Sequence, residues 1–583
     1  MVDVLMKSSD SSLKCYWKGI STAYPGLFID VESQTILLNK DRANRVALVS
    51  AGGAGHEPFG AGYVGENMLT AFIGGALFAA PTAGRISTAL LNIAKLNKGG
   101  ILAVIMNNTS DMLMFGLAIE TVRVKGVQIE SILVADDVAH LDADVKNGYL
   151  SRRGLSGSVL MFKILGALSK NGRSLKEMVL EARCINCRTC SLGIGMRPCK
   201  YPGHNQTMWM LDETSVEVGI GLHGEAGLGR LQGVSTTDLV RVILSQMMRI
   251  FVVKQGDDIV LLINNLGSCN EIEMYTLAHE VEEQITSKGI NVLRTYVGHF
   301  LSTLDTKGAD ITLLNISGRE DWLRFLDQET EAYAWPVTRL SRINYKIPKA
   351  LTTLEVDDKL PEVDSMVLTE REGNTFKSTI LAICRQLREE KDKLNKLDSE
   401  SGDGDTGTAH LKLADALQNN IGNIPVRNLG MGFLIMSKLA ENCGGNTSAA
   451  LYSLMLLGAS KSATDWASAW IGAVEMLRKY TIADVGDRSM LDALIPACLG
   501  FDSYLKEFGE ENWPKALSYS LDKAIEGCEK TATMKSRVGR AMFVDPSRVK
   551  DVDPGAYAVV AVLTAILKNL VLEQNGEDMQ CPI

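Results

Sequence analysis

The stretch VALVSAGGAGHEP at residues 46–58 carries the pattern that decides the fold of the first half of the chain. Its apolar, β-branched start predicts a buried strand, and its glycine-rich end predicts a tight turn. Four further apolar runs are separated by helical patterns and lie at residues 101–105, 129–134, 259–263 and 311–316. Strands that alternate with helices predict an α/β domain, with mostly parallel sheets and flanking helices, over residues 1–338.

The spacing of apolar residues changes in the second half of the chain. Residues 339–368 show no sustained apolar period and predict an interdomain linker. In residues 369–583 apolar side chains recur at helical spacing, beginning with Phe376, Ile380 and Ile383. This half therefore predicts an all-α domain, a bundle or barrel of about eight helices.

Composition limits the function classes. The 583 residues include 60 Lys plus Arg and 69 Asp plus Glu, a formal net charge of −9, and no basic stripe suited to nucleic acid. The longest apolar stretches, near 68–81 and 557–567, are shorter than the roughly 20 residues that cross a bilayer, so no membrane span is expected. The first residues lack a secretory signal pattern, and eleven cysteines fit reduced thiols. We therefore expect a cytoplasmic protein.

The glycine-rich turn after the first long strand delivers a histidine. Gly53 and Gly55 allow the backbone to approach a small ligand, and His56 follows them directly. The same residues also fit a tight strand-to-helix turn in which His56 has only a structural role. This segment alone leaves both interpretations open.

A second histidine lies in a glycine-rich segment at residues 218–227. Gly219, Gly221 and Gly224 form a G-x-G-x-x-G pattern, which raises the alternative of a dinucleotide-binding oxidoreductase. The next helix is predicted to start only near Ser235, whereas a dinucleotide site needs a helix at the third glycine. What remains is His223, either accessible as a nucleophile or base, or buried in a structural role.

Three cysteines lie close together in the first half. Cys184, Cys187 and Cys190 have a spacing that resembles part of a metal or iron–sulfur pattern, with Cys199 further on. The preceding residues, however, predict a helix, on which this spacing would form one stripe. We expect three thiols packed into the core.

The sequence LDSESGDGDTGT at residues 397–408 predicts a metal site. Asp398 is expected to end a helix, and Asp403 and Asp405 lie in the glycine-rich loop that follows, where their carboxylates can converge on a hard cation such as Mg2+. The alternative is a set of solvated loop acids. The spacing does not match an EF-hand, and the chain has no P-loop or kinase catalytic-loop motif.

Together these segments resemble the ATP-dependent dihydroxyacetone kinases with fused K and L domains, over essentially the whole chain. The K-like motifs are GGAGHEP at 52–58, NNTSD at 107–111, RRGLSGS at 152–158 and GLHGEAG at 221–227. The L-like motifs are DSESGDGDTGT at 398–408, GDRSMLD at 486–492, GRA at 539–541 and DPGA at 553–556.

The resemblance implies a role for each matching residue. His223 corresponds to the histidine that binds the ketone carbon as a hemiaminal, while His56 and Asp111 hydrogen-bond the triose and Asp111 takes the hydroxyl proton. The implied substrate-binding residues are Gly53, Ala54, Gly55, His56, Met106 and Asp111. The implied metal ligands are Asp398, Asp403 and Asp405. The implied nucleotide contacts are Thr406, Gly407, Thr408, Ala409, Thr447, Ser448, Met490, Arg540, Asp553, Pro554 and Gly555.

The resemblance also implies activity and assembly. We expect phosphorylation of dihydroxyacetone and glyceraldehyde by ATP with Mg2+, and FAD-AMP lyase (cyclising) activity supported by Mn2+ or Co2+. The expected assembly is a homodimer in which the K domain of one subunit meets the L domain of the other.

Several residues depart from the family pattern around both sites. Met106 replaces a lysine and Asn108 a tyrosine, Ala54 and Asn446 replace other small residues, and Phe162 replaces a histidine. These changes keep open an alternative function, a non-catalytic or weakly active paralogue that binds a ligand or acts in regulation.

Overall fold

The computed structural model describes residues 9–40, 44–139, 152–200, 210–223, 225, 227–336, 363–443, 447–538, 540–544 and 549–574. The chain separates into two compact units, Met1–Thr352 and Thr353–Ile583.

The first unit contains helix α1 (Ser9–Ala23) and two six-stranded sheets. The strands of the first sheet are β1 (Leu27–Asp30), β2 (Thr35–Leu38), β3 (Ala47–Ala54), β4 (Ala71–Leu77), β5 (Ile101–Met106) and β6 (Ile129–Val134). They are ordered β1-β2-β4-β3-β5-β6, and β4, β3, β5 and β6 pair in parallel while β1 and β2 add an antiparallel edge. Helices α2 (Ala83–Leu96) and α3 (Thr109–Arg123) complete this layer.

The second sheet is mixed, with mainly antiparallel pairs. Its strands are β7 (Thr189–Arg197), β8 (Ser215–Val218), β9 (Gly229–Gln232), β10 (Asp258–Asn265), β11 (Asn291–Gly298) and β12 (Lys307–Asn315), in the order β11-β10-β12-β7-β8-β9. Only β10 and β11 pair in parallel. The α/β class is confirmed, but mostly parallel pairing holds only in the first sheet. A loop without a helix joins β11 to β12, so the chain returns antiparallel to β10.

The described residues of the first unit contain five further helices: α4 (Gly157–Lys170), α5 (Leu175–Cys187), α6 (Thr236–Ile250), α7 (Glu271–Thr286) and α8 (Glu320–Asp327). Helix α4 is buried on all sides and contacts β3 of the first sheet and β7 and β12 of the second. A helix that is apolar all round belongs in a core, and α4 joins the two sheets into one unit.

The cysteine prediction is wrong for two of its three residues. Helix α5 ends at Cys187, and Cys184 and Cys187 are exposed, whereas Cys190 is buried in β7. The buried face of α5 is formed by Met178, Ala182 and Ile185 instead. Because the helix ends before Cys190, the three thiols do not share one stripe.

The second unit is all-helical in its described part, as predicted. Its nine α-helices are α9 (Glu370–Glu389), α10 (Lys391–Asp398), α11 (Thr406–Asn419), α12 (Leu429–Glu441), α13 (Thr447–Lys461), α14 (Trp466–Tyr480), α15 (Leu491–Phe508), α16 (Trp513–Thr531) and α17 (Pro554–Gln574). Most of the predicted linker lies outside the described residues. Its end, residues 363–368, packs on this unit, where the amide of buried Leu368 donates to the carbonyl of Arg427 at 2.8 Å.

One described helix is long and apolar enough to cross a membrane when judged by length and composition only. It is α17, in the window Pro554–Val571, of which 39% is buried inside the structure. This helix packs against α9, α15 and α16. A core helix passes the same test, so the window is weak evidence for a span.

Candidate active site

A cleft in the first unit brings the three predicted catalytic residues together. Its lining comes from the ends of β3 and β5, the start of α3 and the segment before β9: Gly52, Gly53, His56, Phe59, Ala80, Met106, Asn108, Ser110, Asp111, Leu222, His223 and Leu301. Ligands of α/β sheets bind at the carboxyl ends of strands, where His56 and Asp111 lie here.

His56 is buried and has a defined tautomer. Its Nδ1 lies 3.0 Å from the carbonyl oxygen of Ser302, which can only accept, so Nδ1 donates and Nε2 is left as an acceptor. Burial, together with the neighbouring His223, lowers the pKa of His56 to about 4. The imidazole is therefore neutral near pH 7 and can accept a hydrogen bond from a hydroxyl.

His223 faces His56 across the cleft. The two ring centroids lie 5.1 Å apart with the planes nearly perpendicular, and Phe78 lies between 5 and 6 Å from both rings. Burial lowers the pKa of His223, Glu225 raises it, and Arg153 lowers it. A neutral imidazole is the form that can act as a nucleophile.

Asp111 lies in the first turn of α3 and is buried. Burial raises its pKa to about 7, and a long hydrogen bond of 3.4 Å from the Asn108 side chain to Asp111 Oδ2 acts in the opposite direction. The other oxygen, Oδ1, is buried and has no hydrogen-bond partner among the described residues. A carboxylate with this pKa can take a proton near neutral pH.

The remaining predicted substrate residues differ in position. Gly53 lines the cleft, and a Cβ there would lie 2.7 Å from the Ala79 amide nitrogen, so only glycine fits. Met106 also lines the cleft. Ala54 packs against Leu13 and Leu77, and the Gly55 amide donates to Glu57, which places both residues in the turn beside the cleft. Their contact with a substrate stays a prediction.

The cleft contains residues that the sequence analysis did not single out. Phe78 packs against both histidines, and Phe59 links the lining to buried Phe162, with ring centroids 5.7 Å apart. Arg153 and Glu225 lie in motifs quoted for the resemblance, but the sequence did not predict the ion pair that they form beside His223. These contacts join residues far apart in sequence, so no local pattern signals them.

The described residues of the G-x-G-x-x-G segment, 219–223, 225 and 227, lie outside any helix. Strand β9 follows at Gly229, and α6 begins only after Ser235, whose side chain accepts a hydrogen bond from the Asp238 amide as the N-cap. The dinucleotide-binding alternative therefore lacks the helix N-terminus that would hold a pyrophosphate.

The three predicted metal ligands lie together in the second unit. Asp398, the last residue of α10, and Asp403 and Asp405 of the following loop each offer one oxygen within 4.8 Å of the others. Asp398 is buried, and the other two carboxylates are exposed. An all-carboxylate set that is open to water suits a hydrated Mg2+ ion, so the donors present fit this metal.

Asp398 also organises the loop. Its Oδ2 accepts the amides of Asp405 at 3.0 Å and Thr406 at 3.2 Å, and a Cβ at Gly402 would lie 2.2 Å from its Oδ1. The loop therefore wraps tightly around this carboxylate, and Gly402 makes that approach sterically feasible.

The predicted nucleotide residues of α11 are already engaged within the chain. The amide of Thr406 donates to Asp398, as described above. The amide of Thr408 donates to the side chain of Asn395, and the amide of Ala409 donates to the carbonyl of Asp405. Gly407 approaches Lys391 so closely that a Cβ would collide with its carbonyl oxygen. Contact of these residues with a phosphate stays a prediction.

Met490, Asp553 and Gly555 are brought together at the start of α17. A Cβ at Gly555 would lie 3.1 Å from both Met490 Cβ and Asp553 Oδ1. Asp553 caps α17 by accepting the Ala556 amide at 2.8 Å, and burial raises its pKa to about 6. Pro554 is the first residue of the helix.

A buried arginine of the GDRSMLD motif, to which the sequence analysis assigned no individual role, supports the start of α17. Arg488 donates to the carbonyls of Thr531 and Asp551 at 3.1 and 3.0 Å, and its Nη1 lies 4.0 Å from Asp553 Oδ2. The Asp551 amide in turn donates at 3.1 Å to Glu400 of residues 398–405, which we call the acidic loop. The metal cluster and the start of α17 are thus neighbours.

The other predicted nucleotide contacts are described in part. Thr447 and Ser448 begin α13, which is joined to α11 by a 2.9 Å hydrogen bond between His410 and Tyr452, each in the second turn of its helix. Both helices therefore start at the same end of the unit. Arg540 begins a short 3-10 turn, but its side chain, like Asn446, lies outside the described residues.

Comparison with protein families gives two matches that together span most of the chain. The Dak1 domain model matches residues 18–334, and the DAK2 domain model matches residues 400–568.

Curated relatives align over nearly their full length. The chain is 35% identical to the triokinase/FMN cyclase of Mus musculus, over 91% of this chain and 92% of the mouse protein. It is 31% identical to the dihydroxyacetone kinase of Pichia angusta, over 94% and 95% of the two chains.

A solved structure shares the fold. The dihydroxyacetone kinase from C. freundii, solved in complex with AMP-PNP and Mg2+, matches with a TM-score of 0.66 and 24% identity, over 97% of this chain and 100% of that one.

Proposed function

The chain belongs to the family of dihydroxyacetone kinases and triokinase/FMN cyclases, and from this premise we propose that it transfers phosphate from ATP to dihydroxyacetone and glyceraldehyde. In this proposal residues 1–338 form the triose-binding K domain, residues 339–368 the linker, and residues 369–583 the nucleotide-binding L domain.

The observation that carries the proposal is the composition of the cleft. Two neutral histidines and a carboxyl group with a pKa of about 7 line one cleft, and Asp111 Oδ1 has no hydrogen-bond partner among the described residues. A buried polar atom without a partner is costly, and a triose hydroxyl would supply the missing hydrogen bond.

His223 is proposed to hold the triose covalently. A ring nitrogen of the neutral imidazole attacks the carbonyl carbon, a C–N bond forms, and the π electrons of the C=O bond move to oxygen. That oxygen takes up one proton and the ring loses one, so the product is a neutral hemiaminal. Covalent capture fixes the position of the terminal hydroxyl, which lowers the entropic cost of the next step.

Asp111 and His56 are proposed to act on the hydroxyls. His56 accepts a hydrogen bond at Nε2, because Nδ1 donates to Ser302. The terminal hydroxyl oxygen attacks the γ-phosphorus of ATP while its proton passes to the Asp111 carboxylate, and ADP leaves with the bridging oxygen. This arrangement supplies general-base catalysis and alignment for phosphoryl transfer.

The acidic loop is proposed to hold Mg2+ through Asp398, Asp403 and Asp405. Bound there, Mg2+ supplies positive charge to the phosphates of ATP. The predicted nucleotide contacts at α11, α13, Met490, Arg540 and α17 surround this loop in the proposal. Because the triose and nucleotide residues lie in separate units, we propose a homodimer in which one subunit's K domain meets its partner's L domain.

We further propose FAD-AMP lyase activity, in which a ribityl hydroxyl of FAD attacks the phosphate of its own FMN half, forming cyclic FMN and releasing AMP, with Mn2+ or Co2+ at the same acidic loop. The mouse, human, bovine and rat relatives carry FMN cyclase in their names, and their similarity to this chain supports the proposed lyase activity.

We also propose a cytoplasmic location. The ten described cysteines form no disulfide, which supports it.

The test is a coupled assay of ADP release with ATP, Mg2+ and dihydroxyacetone or glyceraldehyde, and a second assay of AMP release from FAD with Mn2+. We expect ADP release to require both the triose and the metal. ADP release that neither triose increases would overturn the kinase proposal, whatever the outcome with FAD.

A further inference from the structure

The segment that contains His223 is held in place by the side chain of Glu225, two residues further along the chain. Residues 219–223 and Glu225 lie outside any helix or strand, and the His223 amide donates to Glu225 Oε2 at 2.9 Å. Glu225 therefore bonds directly to the backbone of the proposed nucleophile.

Arg153 holds both ends of this segment. Its Nη1 donates to Glu225 Oε1 at 3.0 Å, and its Nη2 donates to the carbonyl of Gly219 at 2.8 Å. Its Nε donates at 2.6 Å to Asp137 Oδ2, a side chain that is only 1% exposed. The rigid fork of a guanidinium is suited to this three-way contact, and a lysine cannot reproduce it.

The glycine between these anchors gives independent evidence of a tight fit. A Cβ at Gly221 would lie 1.7 Å from Glu225 Oε1 and 2.4 Å from Arg153 Nη1. The ion pair thus fills the space directly against the backbone of the segment, and a larger residue would displace it.

We propose that Arg153 and Glu225 form a clamp that sets the position of the His223 imidazole, so that both are positioning residues for capture of the triose. This inference rests on the proposed function, since it deepens the role of the same cleft. The clamp reaches His223 through the backbone and leaves the imidazole accessible from the cleft.

The clamp also sets the charge around His223. The charged and titratable groups near the imidazole are Glu225 and Arg153 on one side and His56 and Asp111 in the cleft. Glu225 raises the pKa of His223 and Arg153 lowers it. Removing the charge of Arg153 should therefore raise the pKa of His223, and removing the charge of Glu225 should lower it.

The experiment uses four variants of the full chain: Arg153→Lys, Arg153→Gln, Glu225→Gln and Arg241→Ala. Arg241 is the matched control, because it forms an exposed ion pair of 2.6 Å with Asp238 on α6 of the same unit. The measurements are kcat/KM for dihydroxyacetone, the thermal unfolding midpoint, and an NMR pH titration of 13C-labelled histidines. The signal of His223 is identified by its loss in His223→Ala.

We expect Arg153→Lys to lose about ten- to a hundredfold in kcat/KM with little change in the pKa of His223, because the charge stays while the fork is lost. Arg153→Gln should raise that pKa and Glu225→Gln should lower it, and Arg241→Ala should change neither quantity.

Full activity of a folded Arg153→Lys protein would overturn the positioning role. Shifts in the same direction, or none, in the two Gln variants would overturn the clamp. If Arg153→Gln does not fold, Arg153→Lys and Glu225→Gln still decide the matter. Absence of kinase activity in the parent would count against the proposed function alone, because the titration tests the clamp without turnover.

Discussion

The proposed triose-binding cleft and the acidic loop differ in how their charged groups are exposed. In the cleft, burial keeps His56 neutral, with a pKa of about 4, and raises the pKa of Asp111 to about 7. In the loop, Asp403 and Asp405 are exposed, and only Asp398 is buried. Buried groups with shifted pKa values suit covalent capture and proton transfer, whereas exposed carboxylates suit a hydrated cation.

The largest expected effect concerns His223, the proposed nucleophile of the cleft. His223→Ala should lower kcat/KM for dihydroxyacetone by at least about a thousandfold, because the triose is no longer held for attack. Binding of Mg-ATP to the second unit and AMP release from FAD should persist. His279→Ala is the control, since His279 is an exposed histidine of α7 in the same unit. Parent-like kinase activity in His223→Ala would remove covalent capture from the mechanism.

The acidic loop gives the second prediction. Asp403→Asn should weaken Mg2+ and Mg-ATP binding by about a hundredfold, because an amide cannot replace the charge of a metal-bound carboxylate. Calorimetry measures both affinities, and Asp392→Asn, an exposed acid of α10 outside the cluster, is the control. If Asp403→Asn binds Mg-ATP as tightly as the parent, the loop acids are only solvated side chains.

The third prediction concerns the apolar residue in the cleft. Met106 lines the cleft where the family pattern has a lysine. A lost charged hydrogen bond is worth roughly 1.5–3 kcal/mol, so Met106→Lys should raise kcat/KM for dihydroxyacetone by about ten- to a hundredfold. Met114→Lys, on the exposed side of α3, is the control. No gain, combined with an inactive parent, would favour the non-catalytic paralogue.

The smallest effect is a shift in pH dependence. Asp111 must be ionised to take a proton, so kcat/KM should fall as the pH drops below about 7. The Asn108 hydrogen bond favours the ionised form, and its loss in Asn108→Ala should raise the pKa. The low-pH limb of the kcat/KM profile should then move to higher pH. The shift should be at most about one pH unit, because the hydrogen bond from Asn108 to Asp111 is long. A shift to lower pH would contradict the assigned sign. Asn92→Ala, on α2, is the control.

The two regions also differ in what their sequences predict. The acidic loop lies within eight residues, so the end of α10 at Asp398 and the glycine-rich loop could be predicted locally, and the structure agrees. The strands at 101–105 and 259–263 were predicted for the same reason, since apolar runs of this length are local signals.

The cleft could be predicted only in part. Both histidines follow glycine-rich turns, which marked them as candidates, but no spacing shows that their rings lie 5.1 Å apart. The Arg153–Glu225 pair joins residues 72 positions apart. The cysteine prediction failed because Met178, Ala182 and Ile185 form the buried face of α5, so Cys184 and Cys187 lie on its exposed side.

We propose that the two regions divide the reaction, with triose capture at His223 and metal and nucleotide binding at the acidic loop. Intact-protein mass spectrometry after incubation with dihydroxyacetone, without nucleotide, tests it most directly. The parent and Asp403→Asn should both gain the mass of one triose, and His223→Ala should gain none. An equal adduct on His223→Ala would contradict the claim.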